Sequence, residues 1–334
     1  MEIVNFETKY YEELLAFSKR IWPDKPEEYL KYRLFQIPEQ TEDNKYNLLV
    51  KNDEGKIIGC TLYFPSKARI NGKEEKMFWG HDVFVEEQYR GIASMLLFIE
   101  MSKMELSFGT GATDINYKIQ KKGGANFLDV ERHYLIFNIW FFKLLLIKLK
   151  LIRATGPDIY SFPDILKIGN YKFIKVSNVN ELRIPNNGYW NEPDIDIDFV
   201  RDEHFLRNRF FENYLKYHFY KLENNDANKP DECYFVVRPT VDGGLPVISI
   251  VDFRSNLKKP EQFKLVLKAG AELGKQNRLP LVTVRTTSKL KKLNLCPLVY
   301  RTGSKQHITG PLFFGPNTRI LVTCADSDTD FLTE

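Results

Sequence analysis

The sequence predicts a mixed-sheet α/β (α+β) protein built as two domains, and three observations carry that expectation. At 334 residues the chain is longer than one core ordinarily supports. Its composition, 43% hydrophobic and 14% aromatic, is that of a chain that fills cores rather than one that stays disordered. Apolar runs of period 2 also interleave with runs of period 3.6, as expected when strands and helices alternate.

The elements follow in order. "MEIVNF" reads as a strand, and residues 10–21 as a helix with Leu14, Leu15 and Phe17 inward, closed by Trp22-Pro23. Pro26 at a first turn opens a second helix through Tyr32 and Phe35, which ends before Pro38. "YNLLVKNDEGKIIGCTLYFP" gives two strands around the turn residues 52–55, and Asn71-Gly72 marks the hairpin that leads into "KMFWGHDVFV". A helix to about residue 105, a strand over "LSFGTGA", a short helix over residues 115–122 and a strand over 127–136 complete the first domain, residues 1–137.

Charge and cysteine usage exclude several classes. With 48 Lys+Arg against 44 Asp+Glu and no concentrated basic run, no nucleic-acid groove is expected. Cys60, Cys233, Cys296 and Cys324 are far apart without ligand spacing, so neither a metal site nor a disulfide framework is signalled. The acidic start, "MEIVNFETKYYEELL", lacks the basic and apolar regions of a secretory signal, and reduced thiols in the cytoplasm are the expectation.

Residues 134–152, "YLIFNIWFFKLLLIKLKLI", approach the length of a membrane span but carry Lys143, Lys148 and Lys150, each costly at a bilayer centre. As a helix over 138–152 the segment sets Trp140, Leu144, Ile147 and Leu151 on one stripe, which suits a linker helix (138–157) clamped between domains. A helix lying on a membrane surface is the second reading.

The stretch "VFVEEQYRGIASMLLF", residues 83–98, carries the chemistry. An apolar strand ends in acids, a glutamine, an arginine and a glycine, then becomes a helix without a capping side chain. A helix N-terminus presents unpaired N–H groups and the positive end of the dipole, which suits phosphate oxygens. Gly91 admits close approach, Ala93 and Ser94 are small, and Arg90 adds charge, so a ligand could take the place of the missing cap.

The run Gln88-Tyr89-Arg90-Gly91-Ile92-Ala93 resembles the Q/R-x-x-G-x-G/A acyl-CoA signature of the GNAT N-acetyltransferase superfamily, and "NYKIQKKGGANF" resembles the family's later N…klGF segment. The resemblance implies a GNAT fold for residues 1–137 with acetyl-CoA as co-substrate. It implies that the amides of Arg90, Gly91, Ile92 and Ala93, with Gln88 and the Ser94 hydroxyl, hold the pyrophosphate, and that Phe84 and Val85 make main-chain contacts to the pantetheine arm. Asn116 falls where the family often has an asparagine facing the cofactor; capping the short helix is the competing role.

Acyl transfer to an amine needs a base near neutral pKa and donors for the tetrahedral intermediate. His81 has the right intrinsic pKa and resembles a fourth-strand base position of the family, though a histidine satisfied by backbone would look the same. Asp82, on the opposite face by strand alternation, is a candidate for the substrate ammonium. The tyrosine by which many members reprotonate the thiolate is missing: its place falls at Ile119 or Gln120, with Tyr117 the nearest hydroxyl.

In the second half, "HFLRNRFF" at residues 204–211 matches "EYLKYRLF" at 28–35 in step, and each precedes a β-rich run. A helix and a strand continue the parallel, so residues 158–334 are expected to be a second, degenerate GNAT-like domain. Its "VDFRSNLKKPEQF" has no glycine where the CoA loop would fall, so it is expected to shape the acceptor site instead, with Asp252 and Arg254 reaching the groove. The acceptor expected from the resemblance is a small-molecule primary amine, with an amino sugar for surface polysaccharide the leading guess. A CoA-binding protein without turnover, and a FemAB-like aminoacyl or peptide transferase, remain as alternatives.

Overall fold

The computed structural model describes residues 1–36, 46–103, 106–110, 117–118, 121–122, 126–136, 141–153, 156–157, 159–185, 188–190, 195–224, 226, 228–242, 244–255, 260–279, 281–287, 298–310 and 318–326. The chain forms two compact units. One comprises Met1–Ala68, Glu74–Leu128 and a late segment that begins at His307; the other comprises Arg69–Lys73, Asp129–Gln306 and the segment from Thr318.

In the first unit, β1 (Glu2–Asn5) pairs antiparallel with β2 (Leu48–Lys51), which pairs antiparallel with β3 (Ile57–Ile70). The turn after β3 places Asn71 at φ 49° and Gly72 at φ 83°, the two left-handed residues a two-residue hairpin needs, and returns the chain as β4 (Lys73–Val85). Between β1 and β2 lie α1 (Tyr11–Ile21) and α2 (Glu27–Lys31). Leu14, Leu15 and Phe17 of α1 enter a core with Phe6, Leu30, Leu49, Ile57 and Leu62, as their helical spacing requires. Pro26 caps α2, and the helix widens into a π turn over Tyr32–Gln36 that buries Arg33. After β4 come α3 (Arg90–Ser102) and β5 (Ser107–Thr110), parallel to β4.

In the second unit, β6 (Asn126–Ile136) pairs antiparallel with β13 (Leu281–Thr286), which runs parallel to β12 (Leu245–Ser255). Beyond β12 the sheet continues antiparallel through β11 (Cys233–Asp242), β10 (His218–Leu222), β8 (Tyr171–Val176) and β7 (Ile165–Ile168). The chain also forms α4 (Phe141–Lys148), β9 (Ile197–Phe199), α5 (Glu203–Leu206), α6 (Pro260–Gln276), β14 (Leu298–Gly310) and β15 (Ile320–Leu321), the last parallel to β9. Phe263, Val266, Leu267 and Leu273 of α6 pack on Phe235, Val237, Ile248, Ile250, Val282 and Val284. Each such side chain, fully buried, is worth about 1.5–3 kcal/mol.

Both units contain the order hairpin, helix, parallel strand: β3–β4, α3, β5 in one and β11–β12, α6, β13 in the other. Like α2, α5 passes into a π turn, Arg207–Phe211, and buries an arginine, Arg209.

Candidate active site at the end of the fourth strand

The β4–β5 ladder is short. Phe78, Trp79 and Gly80 pair with Ser107, Phe108 and Gly109, and among the described residues the ladder ends there. On its other side β5 turns to β14, where Gly109 and Thr110 pair with Thr309 and Ile308. β4 itself runs on through Val85, five residues past the last described pair. The β3 side stays closed: the Glu86 amide donates to the Ile58 carbonyl at 2.9 Å. Residues 81–85 form the fork where β4 leads on to α3 while β5 pairs with β14, and the Val85 carbonyl there already accepts from the Arg90 Nε.

Asp82 marks the fork with a backbone irregularity, φ 50°, in a strand where other residues are extended. A non-glycine residue in the left-handed region costs about 1–3 kcal/mol and persists where its surroundings hold it. The Asp82 carboxylate forms an ion pair with Lys25 and accepts from the Tyr29 hydroxyl at 2.5 Å, while the Asp82 carbonyl accepts from the Cys60 thiol at 3.5 Å. Lys25 lies over the Trp22 ring at 4.3 Å and the Tyr29 ring at 4.7 Å. The carboxylate expected to meet a substrate ammonium is thus held by groups from the chain's own helical segment. The backbone of His81 belongs to β4; its side chain lies outside the described residues, as does Asn116.

The junction to α3 has the predicted form. A turn over Glu87–Tyr89 leads into the helix, whose N-cap position, Tyr89, makes no side-chain capping bond. The Arg90 amide, expected to face phosphate, donates instead to the Glu87 carbonyl of that turn, and the amides of Gly91, Ile92 and Ala93 follow at a helix start without a capping side chain. A Cβ added at Gly91 would meet nothing within 4 Å, so the space where a side chain at that position would stand is open. Ser94 and Ile92 are exposed. Ala93 differs from the expectation: its side chain is buried with Leu97 against Leu48, Val50, Ile58 and Val85, so its small size serves helix-on-sheet packing.

Arg90 folds back on the strand end. Its Nε donates to the Val85 carbonyl at 3.3 Å and its guanidinium lies 5.8 Å from the Phe84 ring, which itself packs edge-on against Phe17 and Trp22. Gln88 donates to Glu86 at 3.0 Å, and Glu86 pairs with Arg20 at 2.5 Å, so the acid beside the helix N-terminus already has a cation of its own.

Two hydroxyls here were not singled out from sequence. Tyr29 was read only as a helix aromatic. Tyr63 of β3 lies under the fork, with a ring carbon 3.3 Å from where a Cβ on Gly80 would stand; burial pushes its phenol well above the ordinary value. Neither carried a signal other than its aromatic side chain on an inward position. Ile119 and Gln120 lie outside the described residues, and the Tyr117 ring rests on Phe127 at 4.6 Å.

Asp252 and Arg254 do not line an open groove. Both are fully buried in one network. Arg201 donates to Asp252 at 2.9 Å and to Asp326 at 2.5 Å, Arg254 and Tyr234 donate to Asp252 at 2.9 and 2.8 Å, and the Thr323 hydroxyl donates at 2.6 Å. Burial alone would raise the Asp252 carboxyl, but Arg201 and Arg254 outweigh it and hold it at about 2.

A mixed sheet in which β4 pairs in parallel with β5 and leads into a helix without a side-chain cap matches the fold of the acyl-CoA N-acyltransferases, and comparison with solved structures bears the fold out. A protein from Enterococcus faecalis described as a probable N-acyltransferase superposes with a TM-score of 0.56 at 13% identity, over 92% of this chain and 71% of that one. The N-myristoyltransferase of Saccharomyces cerevisiae with bound myristoyl-CoA gives 0.55 at 12%, over 92% and 82%. A GCN5-related N-acetyltransferase from Anabaena variabilis gives 0.54 at 11%, over 92% and 72%. At these identities the likeness establishes the fold. No protein-family model matches the sequence, and no curated protein matches it.

Proposed function

We propose that the chain is an acyl-CoA-dependent N-acyltransferase whose acyl donor lies in the fork between β4 and β5. One observation supports the reading: β4, which pairs in parallel with β5 through Gly80, leads directly into a helix N-terminus with no capping side chain, where a side chain at position 91 would meet nothing. Helix-start amides from Gly91 onward bind the pyrophosphate, main-chain groups of residues 81–85 pair with the pantetheine arm, and the thioester then falls near Gly80 and His81. The yeast relative holds a myristoyl-CoA, and acetyl-CoA is the donor proposed for this chain.

In the reaction an acceptor amine, after losing its proton to a base, attacks the thioester carbonyl; the tetrahedral intermediate collapses by breaking the C–S bond, and the thiolate leaves and takes up a proton. His81 is the proposed base. Asp82 is assigned a positioning role, since Lys25 and Tyr29 occupy its carboxylate and its left-handed backbone lies directly before residues 83–85. Residues 1–137 form the catalytic domain in this reading, residues 138–157 the linker, and residues 158–334 a tandem copy that has lost its CoA loop. The recurrence of hairpin, helix, parallel strand and of a π turn with a buried arginine supports the duplication. The acceptor proposed is an amino sugar of surface polysaccharide.

A second reading, a CoA-binding protein without turnover, is favoured by the carboxylate at the fork being already paired. Thermal melting with saturating acetyl-CoA tests what the two share: bound ligand should raise Tm by mass action, about 2.7 kcal/mol at a hundredfold excess over Kd. Gly91→Asp, which sets bulk and negative charge beside the phosphates, should remove the rise. No rise in the parent would end both readings. Mass analysis of amino sugars, nucleotide-linked amino sugars, polyamines and peptides incubated with acetyl-CoA then separates them, since only an enzyme yields an acetylated product.

A further inference from the structure

We propose that α4 and the residues after it, through Arg153, form a docking element for an anionic membrane surface. The helix was expected to present one apolar stripe to a partner domain, yet it is apolar on more than one face. Leu144 and Ile147 are half-buried, while Phe142 is 70% exposed, Leu145 41%, Leu149 58% and Leu151 67%. Large apolar side chains left in water over one short segment mark a contact surface rather than scattered surface residues.

The charge pattern says what covers it. Between His133 and Pro157 the sequence contains no Asp or Glu, yet it contains Lys143, Lys148, Lys150 and Arg153. Lys150 and Arg153 are exposed beside the apolar residues, with Lys150 at φ 58° ending the helix. A second copy of the chain would bring like charges together on this face. Anionic headgroups instead supply counter-charge for the cations, while acyl chains take up the leucines and phenylalanine, the division of labour of an interfacial helix.

Among the described residues the geometry gives no span. α4 has 8 residues, which makes it about 12 Å long, and among the described residues no helix is long and apolar enough to cross a bilayer. The element therefore lies on the surface. Each basic residue near an anionic leaflet strengthens binding about fivefold, so the exposed Lys150 and Arg153 together amount to roughly twenty-five-fold, a gain that salt screens away.

The inference is independent of the acyl-transfer reading, and vesicle co-sedimentation of the full chain tests it. The parent should sediment with phosphatidylcholine vesicles containing about one-third phosphatidylglycerol, fail to do so with phosphatidylcholine alone, and lose binding as salt rises. Leu149→Asp with Leu151→Asp should weaken binding at least about tenfold, and Lys150→Gln with Arg153→Gln roughly twenty-five-fold. Both pairs change exposed side chains and should melt with the parent; the glutamine pair alone decides if the aspartate pair does not fold. Failure of the parent to bind anionic vesicles, or variants that bind as the parent does, would overturn the proposal. A dimer seen by sedimentation velocity and dissolved by the aspartate pair, with no vesicle binding, would overturn it in favour of a second copy of the chain.

Discussion

Asp82 shows most directly where residue-level reading of this chain stops. Alternation along β4 puts neighbouring side chains on opposite faces, but the left-handed backbone at Asp82 breaks that alternation at the one position where it mattered. The cause is remote in sequence: Lys25 and Tyr29 hold the carboxylate, and a motif of local spacing cannot report on them. The same holds for Asp252, whose partners Arg201, Thr323 and Tyr234 come from separate elements. Removing one member of such a buried network leaves an uncompensated charge, which ordinarily costs about 3–5 kcal/mol. His218 of β10 offers a residue-scale test. Its ring stacks on Phe162 at 3.6 Å, and burial, with repulsion from Lys175 and Lys216, pushes it down to about 4. The folded state therefore binds its proton less readily than the unfolded chain, where the value is about 6.5. Stability from the neutral ring is complete above about pH 6.5 and is lost progressively as pH falls toward 4. His218→Phe keeps the stack and removes the titration, so Tm of the parent relative to the variant should fall over that window. A constant difference would show that the ring does not titrate there.

At the scale of elements, local chemistry was legible wherever it is strong. Asn71-Gly72 gave its hairpin, Pro26 its helix start, and the glycine-bearing junction at residues 88–93 its uncapped helix, because each depends on backbone preferences of the residues themselves. The π turns after α2 and α5 were not legible: widening a helix by one residue reflects what its side chains pack against, including the buried Arg33 and Arg209. Strands β7 to β10 were not legible either, since strands of three to six residues are too short to leave much periodic signal. Gly59 ties two elements together at the candidate site. A Cβ there would stand 3.0 Å from the Phe84 carbonyl and 3.0 Å from a Val85 methyl. Gly59→Ala must shift the end of β4, the segment proposed to pair with pantetheine. Strain of about 1–3 kcal/mol is expected, and the rise in Tm with acetyl-CoA should shrink by more than the loss of stability alone explains. A variant with parental Tm and parental ligand shift would mean that the strand end tolerates displacement.

The whole chain is less separable than its two-domain length suggests. The first unit takes back a segment that begins at His307, where β14 supplies Ile308 and Thr309 to Thr110 and Gly109 of β5. A fragment of residues 1–137 would expose that edge of β5, and an unpaired strand edge invites association. Expressed alone it should aggregate or melt well below the full chain, as light scattering and calorimetry would show; a monomeric fragment with the parental melting temperature would show that β14 adds nothing to the first unit. No sequence pattern announced this return, because residues 298–310 pair with a strand far back in the chain rather than with a neighbour. The same pairing has a consequence during synthesis. Thr110 leaves the ribosome about two hundred residues ahead of Ile308, roughly ten to forty seconds at about 5–20 residues per second. Throughout that interval the nascent sheet ends in an open edge, so folding of the amino-terminal half cannot be completed in step with translation, and recovery of the protein from cells should depend on temperature and chaperone supply more than its finished architecture would suggest.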